Sequence, residues 1–520
     1  LKSTKVILFS LNITLIFLLG CGNGDSGSTT SSSNSFPTNG ADPLASYQWH
    51  LKTLDGSYVN GGTPAANVHI NLGSVHNNFT GKDVKVIISD GQLDLEHPEL
   101  DDNADNSLSK NYSLEAPYFG DPFDNDDEDA HATGVASIAL GGKDNGVGGF
   151  GVAPEATFIG YNFLSSNFSI SRFIDQAQVE GGEGVFNNSY GPQNCRFESL
   201  SQSETYLNIQ RSETITNNNL YVIASGNEFI ASLAACGGNS STYYFGNSNF
   251  DQDRVYANQI LVAATNAEGR SASYSTPGAN VWISAPGGDL SSTSQIGMLV
   301  ADLIGCDLGY SPSSDLSFDL NSSSQNPSCA FFSGAQGTSY AAPVVSGAIA
   351  ILKEANPTLS WRDIKHILAT TAFKIHPSAT NTTHPAGENL DPHVYQFGWV
   401  TNSAGYNFHP WYGFGLLDLT AAVALAGNPT FDLKELKSTD TLTDSPNYSA
   451  SPSSAITDNS ASSTDSTINV NKHNLFIEHV LVKVNITHPR ISDLGIELES
   501  PEGTTTKLMN INSRVMGANL

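Results

Sequence analysis

The chain has 520 residues, 39% of them hydrophobic and 47 of them glycine, which fits a loop-rich globular protein with more than one domain and excludes disorder throughout. Acidic residues number 51 against 23 basic ones, a formal net charge of -28. That balance argues against a nucleic-acid or anionic-membrane surface and favours cations or basic peptides as partners.

The first residues carry Lys2 and Lys5, then an apolar run over 6–19, then Leu18-Leu19-Gly20-Cys21 and a polar Ser/Gly/Thr/Asn stretch. This is a secretory signal layout, too short and too abruptly ended for a membrane span. Leu-Leu-Gly-Cys resembles a bacterial lipobox, which implies a signal peptide over 1–20, lipidation of Cys21 and a flexible tether over 21–41. The expected location is the cell envelope or outer membrane of a bacterium, with membrane contact through the lipid anchor only. An ordinary signal peptide with a chance cysteine is the alternative. Cys195, Cys236, Cys306 and Cys329 remain, an even number in an exported chain. Three pairings are open; local loop closure favours Cys195 with Cys236 and Cys306 with Cys329.

Past the tether, strand-like apolar runs at 84–88, 157–161, 220–224, 260–264 and 281–285 alternate with helical patterns at 170–179 and 201–216. The alternation predicts an α/β fold, a parallel sheet with helices on both faces. An apolar run of helical density covers 339–352. Ser360 reads as the cap of the next helix, with Asp363 placed to reach back, and a last helix spans about 418–427, ended by Gly427. From about Phe431 the composition turns to Ser, Thr, Asp, Asn and Pro, and then to strand-like alternation over 477–486. The expected division is a catalytic domain over 42–428 and a linker with a second, all-β unit over 429–520, a sandwich that lacks its closing strands by residue 520.

Three stretches carry the chemistry, in the order Asp, His, Ser. The run Val84-Lys85-Val86-Ile87-Ile88-Ser89-Asp90-Gly91 is an apolar strand that ends in an acid. Asp129-Ala130-His131-Ala132-Thr133-Gly134 opens a helix of small residues with a histidine, and Gly337-Thr338-Ser339-Tyr340-Ala341-Ala342-Pro343 is a glycine turn feeding an apolar helix. A serine hydroxyl becomes a nucleophile when a neutral imidazole accepts its proton, and the imidazole needs a carboxylate to fix its tautomer. A serine at a helix start also offers its own N–H to a developing oxyanion. Ala224-Ser225-Gly226-Asn227, directly after an apolar strand, supplies a side-chain amide as the second donor.

This set resembles the subtilisin family, whose triad follows the same order. The resemblance implies a serine endopeptidase with Asp90, His131 and Ser339 as the triad and Asn227 as the oxyanion donor. It also implies that Ser189, Tyr190 and Gly191, within Asn187-Asn188-Ser189-Tyr190-Gly191-Pro192, align protein or peptide substrates as an added strand. Asp42-Pro43-Leu44 with Gln48-Trp49-His50-Leu51, Glu354-Ala355-Asn356-Pro357, and Ile477-Glu478-His479-Val480 with Ser492-Asp493-Leu494 resemble the kexin-like branch and its P domain. That branch implies cleavage after basic residues. Asn194, Thr276 and Gly91 replace acids that line its pockets, so Glu128, Asp251 and Asp253 become the candidate carboxylates. Ala132 and Gln92 stand where glycine is usual. The family's strong calcium site matches Asp42, Glu99 and Asn145, the oxygen-only ligation this hard cation requires. The stretch between Cys21 and Asp42 is too short for a chaperone-like prodomain, which implies a separate folding chaperone or unaided folding against a high barrier.

Overall fold

The computed structural model describes residues 42–52, 62–123, 129–165, 169–191, 200–232, 243–310, 326, 328–384, 393–428, 433, 448–452, 454–456, 463–470 and 477–511. Strands β1 (Lys85–Asp90), β2 (Lys110–Asn111), β3 (Thr157–Asn162), β4 (Val185–Asn188), β5 (Leu220–Ala224), β6 (Gln259–Thr265) and β7 (Val281–Pro286) form one seven-stranded sheet. Their order is β2-β3-β1-β4-β5-β6-β7, and every pairing is parallel. Such a sheet is covered on both faces, so its strands are apolar without a break. Val86 and Ile88 of β1 enter the main core with helices α1 (His131–Leu140) and α4 (Thr338–Ala355). Ile87 points the other way, to Tyr161, Phe186, Tyr221 and Leu207 of α3 (Leu200–Asn217). This second face also receives Phe173 of α2 (Ile170–Asp175).

The five predicted sheet strands all form, each within two residues of its predicted ends. The centre of the sheet also holds β4, which the sequence reading missed: only Val185 and Phe186 are apolar, and Asn187 and Asn188 follow them into the core. Asn187 is tolerated there because its amide is used: Nδ2 donates to Ser189 Oγ (2.8 Å) and Oδ1 accepts from Ser346 Oγ (2.9 Å). Helix α2 stops at Asp175, short of the predicted 179, and Gln176 turns its side-chain oxygen to the Ser89 hydroxyl (2.6 Å).

Helix α5 (Trp361–Thr371) begins with the expected capping box. Ser360 Oγ accepts from Asp363 N–H (3.2 Å) and Asp363 Oδ2 from Ser360 N–H (2.8 Å). Helix α6 (Leu419–Ala426) is capped by Asp418, whose Oδ1 accepts from Ala421 N–H (2.9 Å). A hairpin of β8 (Met298–Ala301) and β9 (Phe331–Ala335) lies beside α1, joined to it by Ser137 Oγ accepting from Ala301 N–H (2.9 Å). The expected Cys306–Cys329 disulfide closes the excursion between these strands. Cys195 and Cys236 lie outside the described residues, as do Cys21 and the tether.

In the C-terminal unit, β10 (Ile496–Glu499) and β11 (Thr505–Met509) form an antiparallel hairpin. The alternating segment 477–486 forms no strand and joins no ladder among the described residues, a correction to the predicted strand. Ile477, Val480 and Leu481 stand exposed, so alternation there is not matched by a partner strand. The hairpin's small core of Ile491, Leu494, Ile496 and Met509 closes over Phe250 of the larger domain. Polar ties join the two: Arg362 Nε to Glu478 Oε2 (2.8 Å), His479 Nε2 to the Val255 carbonyl (3.0 Å) and Asn247 Nδ2 to Asn510 Oδ1 (3.2 Å).

Candidate active site

The C-terminal ends of the sheet strands gather the predicted residues. Asp90 closes β1, 1% exposed, and its Oδ1 accepts from Gly91 N–H (2.7 Å) and His131 Nδ1 (3.0 Å). Its Oδ2 is buried without a hydrogen-bond partner among the described residues, so the imidazole is the main group balancing this carboxylate. His131 is the first residue of α1, and Asp129 Oδ1 accepts its backbone N–H (2.9 Å). Tyr310 donates its hydroxyl to the same Asp129 oxygen. Burial lowers the proton affinity of the imidazole, but the charge and hydrogen bond of Asp90 and the charge of Asp129 outweigh it, and the pKa stands above the ordinary 6.5. Gln92, where the family usually has glycine, donates its amide to the Asp129 carbonyl (3.1 Å) and ties the end of β1 to the start of α1. Ala132, the other departure, is accommodated in the core.

Ser339 occupies the first turn of α4, and the ring of Tyr340 next to it lies 5.6 Å from that of His131. Its hydroxyl donates to the Ser189 carbonyl (3.0 Å) and makes no hydrogen bond to the imidazole in this rotamer. Ser189 answers in kind, donating its hydroxyl to the Ser339 carbonyl (2.7 Å). The need for that bond is written in the sequence: Pro343, four residues on, has no N–H to give the Ser339 carbonyl. Ser189 therefore replaces a missing helix bond and docks the end of β4 against the start of α4.

Asn227 follows β5, and its Oδ1 accepts from both the N–H (2.9 Å) and the hydroxyl (2.8 Å) of Thr338. With the oxygen committed to the helix, the amide nitrogen is the end left for a ligand. A Cβ placed on Gly337 would lie 3.5 Å from Asn227 Nδ2 and 3.6 Å from Ser339 N. Both donors thus border one small space, kept open by a glycine. Gly337 has φ 152° and ψ 156°, a region that side chains avoid.

The candidate subsite residues divide. Tyr190 is held by Asn188 Nδ2 (2.9 Å) and donates to Gln176 Oε1 (3.1 Å), and Gly191 is exposed. Asp251 is buried, and its carboxylate lies 3.1 Å from Arg254 Nη1, both side chains 5% exposed. The sequence reading overlooked Arg254; the only signal was its place three residues after Asp251 in Asp251-Gln252-Asp253-Arg254. Asp253 is half-buried and its carbonyl accepts from Gln259 Nε2. Thr276 uses its hydroxyl to accept from Glu228 N–H (3.2 Å). Glu128 lies outside the described residues, as does Asn194.

Asp42, Glu99 and Asn145 come together beyond the C-terminal end of α1. Asp42 accepts from Asp144 N–H (3.0 Å) and Asn145 N–H (3.1 Å), and Glu99 Oε1 accepts from Gly149 N–H (3.1 Å). Glu99 Oε2 is buried without a hydrogen-bond partner among the described residues. An orphaned carboxylate oxygen facing a second carboxylate and a carbonyl-rich loop fits a hard dication. No cluster of three or more His, Cys, Asp or Glu suited to a metal occurs among the described residues, so such a site would draw on amide and carbonyl oxygens. Among the same residues no helix is long and apolar enough to cross a membrane.

Residues 81–415 match the subtilase family and residues 477–518 the proprotein convertase P-domain. The chain belongs to the subtilase family and is a subtilisin-like serine endopeptidase. It is 34% identical to the Aeromonas extracellular serine protease of Aeromonas sobria over 511 residues, 92% of this chain and 78% of that protein. Human proprotein convertase subtilisin/kexin type 5 is 36% identical over 33% of this chain and 8% of its own length. The crystal structure of the Aeromonas sobria serine protease in complex with its chaperone superposes with a TM-score of 0.75 at 27% identity, covering 94% of this chain and 83% of that one.

Proposed function

We propose that the chain hydrolyses peptide bonds through an acyl-enzyme on Ser339, with His131 as general base, Asp90 as its orienting carboxylate, and Asn227 Nδ2 and Ser339 N–H as oxyanion donors. The observation that carries this reading is the Asp90–His131 pair at 3.0 Å beside a helix start where two donors border one space. A χ1 rotation takes the Ser339 hydroxyl off the Ser189 carbonyl and toward the imidazole, a tightening that accompanies substrate binding. Oγ then attacks the scissile carbonyl while His131 takes the proton. Collapse of the tetrahedral adduct expels the amine, protonated by His131, and water repeats the sequence on the ester. Ser189, Tyr190 and Gly191 offer the backbone edge for the substrate strand. Ser339→Ala is expected to abolish hydrolysis of protein and peptide substrates at an unchanged melting temperature; retained turnover would refute the assignment.

The preference for a basic residue before the scissile bond needs a carboxylate to meet it, and the pairing of Asp251 with Arg254 favours a second reading, a subtilisin-like protease without that basic preference. In the calcium reading, Asp42, Glu99 and Asn145 hold the cation, which supplies positive charge to two facing carboxylates. Export is supported by the extracellular relative, and the lipobox-like segment supports anchoring at Cys21, to be tested by the mass of the N-terminal peptide. The chaperone seen with the Aeromonas sobria protease supports assisted folding here, to be tested by refolding yield with and without a co-expressed chaperone.

A further inference from the structure

Strands β4 and β5 are neighbours, with Asn188 paired to Ile223, and beyond them the 189–191 and 225–227 segments run on past Ser339 and Asn227. A substrate carbonyl poised between the two oxyanion donors directs the preceding side chain into the gap between these segments. That gap is filled from within by Arg254. Its Nη1 donates to the Ser225 carbonyl (2.8 Å) on one side. On the other, its Nη2 lies against Gly191, where a Cβ would stand only 1.5 Å away. The same Nη1 would be 3.1 Å from a Cβ on Gly226. Two glycines face a guanidinium that Asp251 holds in place.

We propose that Arg254 is the floor of the principal specificity pocket and restricts the residue before the scissile bond to short, uncharged side chains. This rests on the protease reading above. The paired guanidinium removes the depth that a long side chain needs, and it both repels an incoming Arg or Lys and consumes the carboxylate that would have received it. A cation entering such a pocket would be buried beside a like charge; Glu228 Oε2 borders the same side, also 3.1 Å from a Cβ on Gly226. The acidity of the chain as a whole then steers basic proteins toward the enzyme without deciding the bond that is cut.

The test is a set of peptides differing only in the residue before the scissile bond (Ala, Ser, Leu, Phe, Lys, Arg), with calorimetric titration of benzamidine, a small cation, as a readout independent of turnover. Wild type should cleave after Ala and Ser with kcat/KM at least about tenfold above Arg and Lys, and should not bind benzamidine. Arg254→Ala should invert the order and bind benzamidine, because Asp251 is then exposed at the bottom of a deep pocket. The double variant Arg254→Ala/Asp251→Asn removes both members of the buried pair, which guards against misfolding of the single variant. It should gain on Leu and Phe by about tenfold or more and lose the gain on Arg. Wild type preferring Arg or Lys, or the double variant keeping the wild-type profile, would overturn the proposal. If wild type cleaves none of the peptides, the protease reading fails, while benzamidine binding by Arg254→Ala and not by wild type would still uphold the pocket floor.

Discussion

Gly337→Ala tests the oxyanion space with a single methyl group. The new Cβ would stand 3.5 Å from Asn227 Nδ2 and 3.6 Å from Ser339 N, in contact with both donors and in the space a substrate oxygen must enter to lie within hydrogen-bond reach of them. Each such hydrogen bond is worth about 2.7–4 kcal/mol, or about 10²–10³ in turnover, a range established in subtilisin itself. Crowding one donor therefore predicts a loss of at least about 100-fold in kcat, and crowding both a larger one. KM should move little, because the interaction is made in the transition state. A non-glycine residue at φ 152° adds strain of order 1–3 kcal/mol, so the melting temperature should also fall by several degrees. Steady-state kinetics on one peptide, with thermal melts of both proteins, separate the two effects. A folded variant whose kcat stays within about threefold of wild type would show that the donors do not converge where the reasoning puts them.

Asn227→Ala should lower kcat by about 100-fold to 1,000-fold, the range known from subtilisin, and the double variant with Gly337→Ala should lose less than the product of the two, since both act on one space. The raised His131 pKa places the acid limb of the kcat/KM profile above pH 6.5, with activity rising as the imidazole loses its proton. Asp129→Asn removes one raising charge and keeps an acceptor for His131 N–H, so its midpoint should move to lower pH; an unmoved limb would count against the role given to Asp129. Exhaustive chelation should lower the melting temperature and calcium restore it, with Glu99→Gln insensitive to both; a chelator-insensitive wild type would reject the calcium site.

Much of the framework was legible because buried parallel strands and helix caps leave strong local marks. The run that ends in Asp90, the capping box at Ser360 and the cap at Asp418 were all readable from a few adjacent residues. Strand β4 was not, because its second half is made of asparagines whose burial depends on side-chain partners, Ser189 and Tyr190 nearby and Ser346 far along the chain. The gathering of Asp90, His131, Ser339 and Asn227 at one end of the sheet was implied by motif order. The bond from Ser189 that compensates for Pro343 was not, since each residue explains the other only once β4 and α4 are adjacent. Arg254 was missed for a related reason. A search for acids able to receive a substrate's arginine does not ask whether the chain provides an arginine of its own.

The clasp of the P domain on residues 247–255 joins two equilibria that would otherwise be separate. Phe250 is packed among Ile491, Leu494, Ile496 and Met509, and the Val255 carbonyl is bonded to His479. Between these two anchors lie Asp251 and Arg254. On the pocket reading proposed above, this placement would link the seat of the guanidinium to how firmly the C-terminal hairpin is docked. By thermodynamic reciprocity, with such a link a substrate that pushes Arg254 out of its pocket would loosen the interdomain contact by the same free energy with which loosening that contact eases its entry. The P domain contacts would then bear on substrate choice as well as on stability, to the extent that the two equilibria are coupled.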